Sequence, residues 1–138
     1  MRVVLDTNVL IMSISKRSPF HSIWTHFLSG HYTICYTNEI LLEYEEVLAR
    51  KVSASFANAI LTAMIGAKNT IEIDDYYKMQ LITADPDDNK FVDCAFAANA
   101  RYIVSEDHHY NVLREIDYPR IEVTDIESFV AMLKRNNS

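Results

Sequence analysis

The chain has 138 residues, 49% hydrophobic and 23% charged, and a formal net charge of -6. That length suits one compact domain, residues 1–138, with enough apolar content to bury a core without disulfides or a structural metal. Only 2 glycines are present, Gly30 and Gly66, far apart, which excludes glycine-rich phosphate loops. No apolar run approaches the ~20 residues of a membrane span, and no signal-peptide pattern is visible. The 2 cysteines, Cys35 and Cys94, form no metal knuckle and no disulfide framework; they read as buried free thiols of a cytoplasmic protein.

In chain order, Arg2–Leu5 reads as a short strand, broken by Asp6-Thr7-Asn8 and followed by a short helix over Val9–Met12. Ser18-Pro19 has the pattern of a helix start. Ile23, Trp24, Phe27 and Leu28 follow at helical spacing, and Gly30 closes that helix. Tyr32–Tyr36 is rich in β-formers. Asn38–Arg50 predicts an amphipathic helix with Ile40, Leu41, Tyr44, Val47 and Leu48 on one stripe. Ala54–Ala67 predicts a second long helix and Thr70–Ile73 a short strand. The proline-containing break Ala84–Asn89 leads into a helix over Asn89–Asn99. Arg101–Ser105 and Ile121–Val123 are the last strands. Thr124 and Glu127 read as a capping box for a helix from Ile126 to Lys134.

Strands alternating with helices predict an α/β fold. It is a three-layer α/β/α arrangement around a central, mainly parallel sheet of four to five strands. Sites in such sheets form beyond the carboxyl ends of the strands. Asp6 and Asp107 each directly follow a strand. Asp88 opens a crossover helix, and Glu43 lies in the first two turns of another. All four therefore face the same edge. Taken singly, each has an ordinary reading as a cap, a turn former or part of a solvated face. Taken together, they form a cluster of like charges that a divalent cation would neutralise, and all-oxygen ligands select Mg²⁺ or Mn²⁺.

The helical wheel sorts the neighbours. Glu43 and Glu45 flank the apolar stripe of their helix, with Glu43 nearer its start; Glu39 and Glu46 fall on the wet side. Asp88 is in line with Phe91, Val92 and Ala95. Asp93 is about 140° round and ~7.5 Å further along, which makes it an outer candidate. Asp85 and Asp87 read as loop and cap residues, although Asp87 and Asp93 also offer carboxylates at this position.

Val4–Leu10, with Asp6-Thr7-Asn8 at its centre, resembles the opening motif of PIN-domain nucleases. Ile40–Leu48 resembles their second acidic motif, Asp85–Phe91 with Ala95 the third, and Ile103–Asp107 the fourth. The order, spacing and chain length are similar to the bacterial, VapC-like subfamily of toxin components of toxin–antitoxin pairs. The resemblance spans essentially the whole chain. It implies an acidic quartet of Asp6, Glu43, Asp88 and Asp107 that binds Mg²⁺ or Mn²⁺, with Asn8 and Ser105 as polar helpers. Ser105 stands where the family often has Thr, and Glu106 where it more often has Gly or another residue.

The implied activity is metal-dependent hydrolysis of RNA. Asp6, Asp88 and Asp107 would hold the ion, and Glu43 would orient the attacking water or a second ion. Lys90, His108 and His109 lie close to the acids and are the candidate substrate contacts, with an exposed turn as the ordinary reading of the two histidines. Lys16 and Arg17 fall near the opposite end of the sheet. Arg50-Lys51 and Lys134-Arg135 read as helix C-terminal charges that complement the dipole. Tyr44, Tyr102 and Tyr110 are candidates for base stacking, with core packing the simpler reading for Tyr44 and Tyr102. The resemblance also implies a small antitoxin protein as partner, and a homodimer is a further expectation. A phosphatase of the haloacid-dehalogenase type would need an Asp where Asn8 stands. A receiver domain would need adjacent acids near the first strand and a Lys after the last. A non-catalytic binding module on the same fold is the remaining alternative.

Overall fold

The computed structural model describes residues 1–74, 88–107, 110, 111, 113 and 121–136. In chain order the elements are β1 (Arg2–Leu5), α1 (Thr7–Ile14), α2 (His21–Leu28), β2 (Thr33–Tyr36), α3 (Asn38–Lys51), α4 (Ala54–Gly66), β3 (Thr70–Glu72), α5 (Asn89–Ala98), β4 (Tyr102–Val104), β5 (Val123–Thr124) and α6 (Ile126–Asn136). The strands form one sheet in the order β3-β2-β1-β4-β5. Every neighbouring pair is parallel.

Successive side chains of a strand point to opposite faces. Val3, Val4 and Leu5 are nevertheless all fully buried, as are Ile103 and Val104. Both faces of the sheet are therefore covered, and the α/β architecture expected from the alternating pattern is the one observed. Tyr44 of α3 ties its layer to the sheet by donating its hydroxyl to the Leu5 carbonyl.

The chain runs from β1 outward to β2 and β3, then returns to place β4 on the other side of β1. The strand order reverses between β1 and β4, and a crevice opens beyond their carboxyl ends. Asp6 caps one of these strands, and its amide donates to the Val104 carbonyl of the other at 3.0 Å.

Two local expectations are corrected. α2 starts at His21, not at Ser18-Pro19. Ser18 instead makes a turn: its amide donates to the Ser15 carbonyl, and its hydroxyl accepts from the Phe20 amide at 3.1 Å. A Ser-Pro pair initiates turns as readily as helices, and here the turn comes first. At the other end of the chain, Thr124 belongs to β5, and Asp125 caps α6 by accepting from the Ser128 amide at 2.7 Å. That bond holds the Asp125 carboxyl below its ordinary range. Gly30 does close α2: its φ of +81° is a left-handed conformation that glycine adopts without strain.

Candidate active site

At the crevice lies a cleft of about 250 Å³ lined by Asp6, Thr7, Asn8, Glu43, Val47, Arg50, Lys51, Asp88, Phe91 and Asp107. Five elements or their ends supply it. Asp6 ends β1, and Thr7 and Asn8 open α1. Glu43 sits in the second turn of α3, Asp88 stands at the N-terminal cap position of α5, where its side chain makes no capping bond, and Asp107 follows β4. The structure thus brings together all four acids of the quartet, and Asn8 with them. Asp93 is buried on α5 but does not line the cleft. Asp85, Asp87, His108 and His109 lie outside the described residues.

Ser105 organises the acids. Its hydroxyl donates to Asp6 Oδ2 at 2.7 Å and accepts from the Asp107 amide at 2.9 Å. One buried hydroxyl therefore fixes the carboxylate that ends β1 and the backbone that carries Asp107. Burial pushes the Asp6 carboxyl up from its ordinary value; hydrogen bonds from Ser105 and the Thr7 backbone oppose that, and the charges of Asp107 and Glu43 add to it. Like charges are thus close enough to act on one another in a partly dry setting.

Glu43 is held at both oxygens. Oε1 accepts from the Lys90 ammonium at 2.8 Å, and Oε2 accepts from the Thr7 hydroxyl. Lys90 was expected on the rim as a substrate contact. The structure buries it, with only 8% of its side chain exposed, because the Glu43 carboxylate draws it inward. Thr7, which the sequence marks only as part of a turn, therefore belongs to the cleft.

Two cations of α3 also belong to the cleft. Arg50 and Lys51 complement the α3 dipole, as expected, but they also line the cleft. Glu43, Val47, Arg50 and Lys51 recur at spacings of four, three and one, which places them along one face of the helix. The cleft therefore runs from carboxylates at its head to two cations further down α3. The spacing from Glu43 was the signal available for finding them.

Tyr110 cannot stack bases, being 1% exposed. Among the described residues its buried hydroxyl has no hydrogen-bond partner. Its ionisation is pushed far up, first by burial and then by the charges of Asp6, Asp88, Asp107 and Glu43. Tyr44 is likewise a core residue. Cys35 and Cys94 are buried free thiols, as expected, and burial raises the Cys35 thiol to about 11.

Among the described residues, no group of three or more His, Cys, Asp or Glu side chains is gathered tightly enough to hold an ion as it stands. The donor set nevertheless suits a hard divalent cation. Asp6, Asp88 and Asp107 offer oxygens only, and the Asp6 carboxyl bears an electrostatic penalty that bound positive charge would relieve.

A parallel five-stranded α/β fold with acids at its switch point defines a class of carboxylate-site proteins. Within that class the sequence matches the family model for the PIN domain over residues 2–109, and the chain belongs to the PIN-domain family. Among solved structures, it is similar to a chain of VapBC2 from Rickettsia felis, bound to a DNA fragment from their promoter. The TM-score is 0.63 at 18% identity, covering 91% of this chain and 98% of that one. A chain of DNA-bound VapBC from Salmonella typhimurium matches with a TM-score of 0.61 at 15% identity, again covering 91% and 98%. At these identities the likeness is one of fold. No curated protein sequence matches significantly.

Proposed function

We propose that this chain is a divalent-metal-dependent ribonuclease and the toxin of a toxin–antitoxin pair. The observation that carries the reading is the convergence of Asp6, Glu43, Asp88 and Asp107 on one cleft at the sheet's switch point. Membership of the PIN-domain family and the shared fold with chains of VapBC complexes support it.

In this reading Asp6, Asp88 and Asp107 hold Mg²⁺ or Mn²⁺, which when bound supplies a water acidified enough to attack near neutral pH. Asn8 and Ser105 orient the carboxylates, as hydrogen-bonding partners around a metal site do. Glu43 orients the water. Arg50 and Lys51 take the RNA phosphates further down the cleft, where the lining changes sign. Hydrolysis adds the water oxygen to phosphorus and its proton to the leaving oxygen. The net charge of -6 then fits a selective enzyme rather than one that coats any nucleic acid.

The partner is a small antitoxin protein that covers the cleft. In this reading the protein acts in the cytoplasm. Among the described residues no helix is long and apolar enough to cross a membrane. The deciding experiment is cleavage of a mixed RNA pool with Mg²⁺ or Mn²⁺. Activity should vanish with EDTA and fall by orders of magnitude in Asp6→Asn. Cleavage unchanged in that variant would overturn the assignment.

A further inference from the structure

Lys90 is the second residue of α5, at the positive end of the helix dipole. A cation is disfavoured there, and burying an ammonium carries a further desolvation cost. Neither helix stability nor solubility explains a lysine that is only 8% exposed at this place. Its partner does: the ammonium lies 2.8 Å from Glu43 Oε1 and 5.2 Å from the centre of the Phe91 ring. The Thr7 hydroxyl completes the hold on the same carboxylate.

We propose that Lys90 is the resident cation of this site: it occupies the place beside Glu43 that a second divalent ion would take, so that the cleft binds one divalent ion per chain. This rests on the ribonuclease reading and deepens it. With both oxygens engaged, Glu43 stands apart from the set formed by Asp6, Asp88 and Asp107. Four carboxylates alone would carry about −4, which two divalent ions balance; with the Lys90 ammonium in place the charge is about −3, so one ion leaves about −1 and a second would carry the site past neutrality. Lys90 is a positioning residue that fixes Glu43.

The test is calorimetric titration of Mn²⁺ into the full chain without RNA, alongside the electron paramagnetic resonance spectrum of the loaded protein. Wild type should bind one ion and give the spectrum of an isolated Mn²⁺. Lys90→Gln should bind two ions, with the spectral coupling of a close pair, since paired catalytic ions sit about 3.5–4 Å apart. Lys90→Arg should return to one. Two ions in wild type overturn the proposal without any variant, and so does a single ion in a folded Lys90→Gln protein. If neither protein binds Mn²⁺ at all, the metal-nuclease reading falls with it. The Lys90 proposal alone fails when the ions bind in the wrong number.

Discussion

The Ser105 hydroxyl donates to the Asp6 carboxylate across 99 residues of chain, and both groups are buried. The bond joins the ends of β1 and β4, the two strands between which the sheet order reverses. Because Ser105 also accepts from the Asp107 amide, one side chain sets the spacing of two candidate ligands. Ser105→Ala should therefore act twice. It leaves a buried carboxylate without its donor and an amide without its acceptor, which costs about 1–3 kcal/mol of stability. It also loosens both acids, so Mg²⁺ affinity should fall by roughly 10–100-fold. Ser105→Thr keeps the hydroxyl and should keep both properties. Chemical denaturation and metal titration of the two variants give the comparison; equal metal affinity in Ser105→Ala would remove Ser105 from the site.

Asp6 makes the site costly when it is empty. Its carboxyl titrates above the ordinary value of 3.8, chiefly because it is buried. The folded protein therefore holds this proton to a higher pH than the unfolded chain does. Between the two values the native state binds more protons, so stability falls as pH rises through that window and stays lowered above it. In the absence of metal, Asp6→Asn should melt higher than wild type at pH 7–8, and the difference should close below about pH 4, where both residues are neutral. Adding Mg²⁺ should raise the wild-type melting temperature and leave the variant's nearly unchanged. A variant less stable than wild type at neutral pH would refute this account.

Much of the fold was readable because its signals are local. The apolar run Val3–Leu5, the wheel of α3 and the positive-φ glycine at position 30 each depend on residues close in sequence. The four acidic segments were readable for the same reason, since each sits at a strand end or helix start that fixes its direction. What the sequence concealed are contacts between distant residues. Thr7 and Glu43 are 36 positions apart, and nothing near Thr7 announces a carboxylate. Lys90 looked like a rim cation because lysines are mostly exposed; only the position of Glu43 on a different helix draws it inside. Arg50 and Lys51 satisfied one rule, the dipole, and that sufficient local explanation hid their place in the cleft lining.

Tyr110 offers a trade between stability and activity. A hydroxyl buried without a partner costs roughly 1–3 kcal/mol. Among the described residues the Tyr110 hydroxyl has no partner, and it lies in the field of the four carboxylates. Tyr110→Phe removes the oxygen and keeps the ring, so the metal-free protein should gain about 1 kcal/mol or more, read as a higher denaturant midpoint at unchanged slope. If RNA cleavage falls in that stabilised variant, the hydroxyl serves the loaded site. A destabilised variant would mean that the hydroxyl has a partner in solution.

Arg50 and Lys51 separate binding from chemistry. They line the cleft on the face of α3 that carries Glu43, yet Arg50 is largely exposed, with Glu46 3.8 Å away as an i,i+4 partner. An exposed pair of that kind holds the side chain only weakly, by about 0.3–0.5 kcal/mol, so a phosphate can compete for it. Glutamine at either position should raise KM for RNA several-fold and leave kcat close to wild type, because the contact is made equally in ground and transition states. Each substitution should also flatten the dependence of log affinity on log salt by about 0.7, the contribution of one neutralised phosphate on a single strand. Lys16→Gln, at the far end of α1, should change neither. A fall in kcat with KM unchanged in Lys51→Gln would place that lysine in the chemistry instead, and an unaltered salt slope would remove it from the RNA path.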